Sequence, residues 1–112
     1  MKDQLKIPVQ NVLTLLVGEK YADLENLTRG VRLSAEAMAK AISDYGEKLV
    51  LLPEDGFRLM DVVEVKDSQP KRWSIAMPLW TQKEGRSDLT LEMTVIEKQN
   101  GFTIELDDLH VL

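Results

Sequence analysis

The sequence predicts an α+β domain in which two to three N-terminal helices pack on a curved antiparallel meander of four to five strands. Three observations carry this. Apolar residues in the first half recur at i, i+3, i+4 and i+7, the period of one buried helical stripe. In the second half they alternate one by one, the period of strands with a single covered face. Between the alternating runs lie a polar stretch, Gln82–Asp88, and the dipeptide Asn100-Gly101, where hairpin turns belong.

The helices come first. Val9, Val12, Leu13, Leu16 and Val17 form one stripe, Pro8 suits a first helical turn, and Gly18 ends the helix. A short second helix has Tyr21, Leu24 and Leu27 on one side and stops before Gly30. The third has the strongest local signals: Ser34 as N-cap, Glu36 at the positive end of the dipole, Leu33 placed to staple onto Met38, and Gly46 after its end. Met38, Ala41, Ile42 and Tyr45 make its apolar face.

Lys48 to Leu52 reads as a short strand stopped by Pro53, and Pro53-Glu-Asp-Gly56 as a turn. Leu59 to Val65 reads as a strand closed by Asp67-Ser-Gln-Pro70. Trp73, Ile75, Met77 and Leu79 then alternate with Ser74, Ala76, Pro78 and Trp80. Pro78 cannot donate to a ladder, so it belongs at an edge or a bulge. Leu89, Leu91, Met93 and Val95 make the next apolar face, and Phe102, Ile104 and Leu106 the last, with Asn100-Gly101 as a type I′ turn between them.

Composition narrows the classes. A chain of 112 residues, 44% hydrophobic and 29% charged, is a single domain over residues 1–112 that folds without metal or disulfide. It has no cysteine, which removes thiol chemistry and fits a reducing cytoplasm. Its net charge of −5 with scattered basic residues argues against nucleic acid and anionic membranes and is compatible with a basic protein partner. The apolar run Val12–Val17 follows Asp3 and Pro8 and is far shorter than the ~20 residues of a membrane span, so neither a secretory leader nor a span is expected.

Catalytic motifs are wanting. One histidine, no cysteine and scattered carboxylates do not make a zinc set, and Asp107 and Asp108 point to opposite faces of a regular strand. No glycine-rich phosphate loop is present, and Ser87 sits in no nucleophile elbow. No cofactor and no metal are expected. What remains lies on the sheet's second face. Trp80 is opposite to Trp73 and Ile75, so it either anchors a partner, or covers a barrel mouth or packs under the C-terminal tail. Arg86-Ser87-Asp88 caps the hairpin, either as a closed turn with Arg86 neutralising Glu84 or Asp88, or as a surface that reads a partner. Asp108 and His110 share one face of the last strand and are the candidates for a pocket.

The hairpin Trp73-Ser-Ile-Ala-Met-Pro-Leu-Trp-Thr-Gln-Lys-Glu-Gly-Arg-Ser-Asp-Leu-Thr-Leu91 and the ending Ile104-Glu-Leu-Asp-Asp-Leu-His-Val-Leu112 resemble a small bacterial domain family of unknown function. Helices followed by a curved antiparallel sheet, with the segment Gly18-Glu-Lys-Tyr-Ala-Asp-Leu24, also look like the cone-shaped fold of nuclear transport factor 2 and its cystatin-like relatives. That resemblance implies a cone able to hold an Asp and a His, and the fold serves enzymes, ligand binders and interaction modules alike.

The expected function is a non-catalytic protein-binding module, with an immunity protein that blocks the active site of a basic bacterial toxin as the concrete instance. Trp80, Arg86 and Asp88 are its expected contact residues. The alternatives are a small-molecule or enzymatic cone with a pocket near His110, and a homodimeric accessory domain.

Overall fold

The computed structural model describes residues 2–112. Three helices, α1 (Lys2–Val17), α2 (Tyr21–Thr28) and α3 (Ala35–Tyr45), precede strands β1 (Leu49–Val50), β2 (Asp61–Glu64), β3 (Arg72–Thr81), β4 (Gly85–Lys98) and β5 (Gly101–Val111). A 3-10 helix, Glu54–Leu59, lies between β1 and β2. All strand pairings are antiparallel, and the order is β1-β3-β4-β5 with β2 also on β3. The α+β class and the antiparallel meander are therefore as the patterning implies.

The core is where the two periodicities meet. Leu5, Val9, Val12, Leu13 and Leu16 of α1, with Leu24 and Met38, bury against Trp73, Ile75, Met77 and Leu79 of β3 and Leu89, Leu91, Met93 and Val95 of β4. Trp73 meets the edge of Phe102 with ring centroids 6.0 Å apart. Each fully buried side chain of this kind stabilises by about 1.5–3 kcal/mol relative to exposure. The α3 signals are also realised: Ser34 Oγ accepts from Ala37 N at 3.1 Å, and Gly46 takes a left-handed φ of 83° as its N–H bonds to Ile42 O.

Some sequence expectations shift. Helix α1 starts at Lys2, so Pro8 is interior rather than in the first turn. Burial of Leu5 extends the stripe by a turn and outweighs the backbone bond that Pro8 removes. Glu19, not Gly18, takes the left-handed position after α1, at φ 59°. In α2 the inward residue after Leu24 is Thr28, while Leu27 is 46% exposed. The Thr28 hydroxyl donates to Leu24 O at 2.9 Å, which lets a polar residue turn inward with its hydrogen bond made. The 3-10 helix runs to Leu59, so β2 begins later than the apolar run suggests.

Both hairpin turns also move. The first turn is Gln82–Glu84, closed by the Thr81–Gly85 pair with Gly85 at φ 73°, so Arg86 and Asp88 lie inside β4 and do not cap the hairpin. A three-residue loop followed by a left-handed glycine is a favoured hairpin connection. In the second, Lys98 pairs with Gly101, so the loop residues are Gln99 and Asn100. Neither has a positive φ, which excludes type I′. Pro78 behaves as its chemistry requires: β2 leaves the β3 edge at Ala76, β1 joins it at Trp80, and the β3–β4 register shifts between Pro78 and Trp80.

Candidate functional site

The strand alternation that buries Trp73 and Leu79 puts Trp80 on the other face of β3, in register with Arg86 of β4. Trp80 is half-buried. Its cover is the 3-10 helix: a Cβ on Gly56 would lie 3.4 Å from Trp80 Cη2. That packing leaves an open notch of about 310 Å³ between Trp80, Asp55, Arg58 and Leu59. A smaller notch of about 150 Å³ lies against Pro78, Arg86, Asp88 and Leu112. Leu59 and Leu112 are exposed, at 43% and 83%.

Arg86 is unclaimed. Among the described residues it has no ion pair, and the nearest acid of the turn, Glu84, is engaged by other side chains. Glu84 accepts from the Tyr45 hydroxyl at 2.9 Å to each oxygen and from Thr81 Oγ1 at 2.9 Å. Asp88 engages through its backbone carbonyl, which accepts from Leu112 N at 3.0 Å. So the reading in which Arg86 neutralises Glu84 or Asp88 is overturned. Ser87 is the residue that ties the strand locally: its hydroxyl donates to Leu79 O at 2.8 Å and accepts from Leu89 N at 3.2 Å. Buried and engaged on both sides, it is a structural hydroxyl.

The second candidate set is brought together more closely than its spacing alone implies. His110 Nδ1 lies 3.1 Å from Asp108 Oδ2, outside hydrogen-bond geometry, and Nε2 lies 3.5 Å from Glu92 Oε2. Glu92 is the cross-strand neighbour of Asp108. Only the β4–β5 register reveals it; nothing in the local sequence singles it out. His110 also borders an open cleft of about 570 Å³ between α3 and the end of β5, whose walls are mainly Leu33, Ala37, Ala41, Leu89, Leu109 and Val111. Asp108 does not line it. The polar groups on its rim are engaged: Lys40 pairs with Asp44 at 2.8 Å, and Tyr45 with Glu84. Burial, then the Glu84 bond, pushes the Tyr45 hydroxyl above its ordinary pKa.

Asp107 departs from the regular strand assumed for it. The β4–β5 register shifts there, so Glu92 faces Asp108 while Met93 faces Leu106, and Asp107 is the extra residue of a bulge. Among the described residues no three His, Asp or Glu side chains are grouped to hold a metal ion, and no helix is long and apolar enough to cross a membrane.

Comparison with known proteins adds one finding. Residues 13–112 match the family described as a domain of unknown function, DUF7668, and the chain belongs to that family. No curated protein and no solved structure matches the chain.

Proposed function

We propose that this DUF7668 member is a non-catalytic protein-binding module whose contact surface is the hairpin end of the sheet face opposite to α1, centred on Trp80 and Arg86. The observation that carries the reading is an arginine with no ion partner among the described residues, in register with a half-buried tryptophan, with a notch on either side. Trp and Arg are the side chains most enriched at binding hot spots, and notches let a partner's side chains complete the packing. Exposed Leu59 and Leu112 supply apolar rim, and Asp88 a second free charge.

The net charge of −5 supports a basic partner, since opposite fields steer encounter and suppress wrong partners. An immunity protein of the bacterial cytoplasm, covering the active site of a basic toxin, is the concrete form of this proposal. Its test is binding between this protein and the product of the gene directly upstream, by calorimetry, with growth protection as the second readout. A complex and protection are expected, with binding weakened about 30-fold in Trp80→Ala and at least as much in Arg86→Glu. Absence of both complex and protection removes the toxin reading. Binding that ignores both substitutions removes this surface.

A second reading rests on the cleft beside His110, whose apolar walls suit a small molecule. Ligand screening by NMR tests it, and a library that shifts no resonance of Leu109, His110 or Ala41 counts against it.

A further inference from the structure

Strand β5 is an open edge. It pairs with β4 on one side and, among the described residues, with no strand on the other. An edge eleven residues long presents main-chain N–H and C=O groups to any strand that can align with it. Lysine and proline are common protections of such edges, and β5 has neither. Its alternating Phe102, Ile104 and Leu106 make it a good strand in isolation as well.

What interrupts the edge is the bulge. Asp107 has no cross-strand partner, and its side chain is only 16% exposed. One carboxylate oxygen accepts from Thr94 Oγ1 at 2.7 Å; the other has no hydrogen bond and lies 3.6 Å from Arg32 Nε. Thr94 is in register with Ser74 and Glu105, on the face opposite to α1. Arg32 comes from the connection between α2 and α3. Their meeting at one carboxylate brings Arg32 Nε to the bulged residue of the edge strand. For stability alone this is a poor choice, because a mostly buried carboxylate with one oxygen short of a hydrogen bond loses hydration that an apolar residue would not.

We propose that Asp107 and Arg32 together guard β5 against strand addition by a second copy of this chain. A second copy is the occupant to exclude because two β5 edges can meet antiparallel about a two-fold axis, each supplying the same groups. The bulge breaks the edge into Gly101–Leu106 and Asp108–Val111, so no long ladder can form across it. Arg32 adds a charge beside the break, 3.6 Å from the bulged carboxylate. Glu105 and Asp108 add like-charge repulsion between approaching copies.

Deleting Asp107 is the direct test, because it makes Leu106 and Asp108 consecutive and restores a regular β4–β5 register. The expected result is self-association at least about tenfold tighter than the native chain by sedimentation equilibrium. Amides of Gly101–Leu106 should gain hydrogen-exchange protection as concentration rises. A double variant, Arg32→Ala with Asp107→Asn, keeps chain length and should associate several-fold more tightly. Tyr45→Phe, a mild destabilisation that leaves the bulge and Arg32 intact, should not associate. If the deletion fails to fold, the double variant decides. The proposal is overturned if the folded variants associate no more than the native chain, if Tyr45→Phe associates equally, or if the native chain already dimerises with β5 amides protected.

Discussion

The Tyr45 hydroxyl at the end of α3 donates into the Glu84 carboxylate, 2.9 Å from both oxygens, and so ties the last turn of that helix to the tip of the β3–β4 hairpin. The two residues are 39 positions apart in the chain. Thr81 completes the arrangement, with its hydroxyl donating to Glu84 Oε1 and accepting from Glu84 N. The same bonds commit the acid nearest to Arg86 in the turn, which leaves the guanidinium free for a partner.

Tyr45→Phe removes one partly solvated hydrogen bond and should lower stability by about 0.5–1 kcal/mol in urea melts. The pH dependence has a definite sign. Burial and Glu84 raise the Tyr45 pKa above its ordinary 10.0, so the protonated form is favoured by folding. The contribution is complete below the unfolded-state value and is lost as pH rises through the folded-state value. The gap between native protein and Tyr45→Phe should therefore narrow in melts taken above pH about 10. A gap that widens there contradicts the arrangement.

Pro8→Ala restores a donor for the carbonyl of Gln4 inside α1. An interior proline costs a helix about 3 kcal/mol, partly offset here by its stiffening of the unfolded chain, so a gain of about 1–2 kcal/mol is expected from calorimetry. No gain would mean that the first turns of α1 contribute little to the native state.

Helix α2 offers a clean contrast between neighbouring positions. Leu24→Ala should cost about 2–5 kcal/mol, whereas Leu27→Ser should stay within about 0.5 kcal/mol of native. Thr28→Val removes a buried hydroxyl that is bonded to Leu24 O and falls between them. Equal losses at Leu24 and Leu27 would restore the face that simple spacing suggests.

Arg86→Ala should leave stability within about 0.5 kcal/mol, since the side chain has no partner to lose. Binding to the cognate partner should weaken about 30-fold, the scale of a hot-spot residue. Trp80→Ala should weaken binding as much and also destabilise, because the indole supports the turn at Gly56. Calorimetric titration beside thermal melts separates the two effects.

Much of the fold is legible in local chemistry. The Ser34 cap, the Gly46 stop and the alternation from Trp73 to Val95 depend on residues near one another in the chain, and local geometry limits what they can do. The turns are not fixed locally, because a loop one residue off conserves the composition: Gln99-Asn100 and Asn100-Gly101 are adjacent windows, and the pairing of Lys98 with Gly101 chooses between them. Arg86 and Asp88 read as a cap for the same reason, until the Thr81–Gly85 pair ended the turn before them.

The candidate sites were legible as residues and not as neighbourhoods. Asp108 and His110 share a face by spacing alone, but Glu92 joins them only through a register shift that places it opposite Asp108. Trp80 was plainly on the second face, while its cover, the 3-10 helix at Gly56, lies far earlier in the chain. The amino-acid sequence by itself determined the class of the fold, the order of its elements and the side of each strand that is buried, because periodicity and capping act over a few residues. Only the tertiary structure decided that Arg86 has no ion pair among the described residues, that Asp107 is a bulge and that Arg32 reaches it, because strand register and long-range ion pairing are settled by the whole core at once.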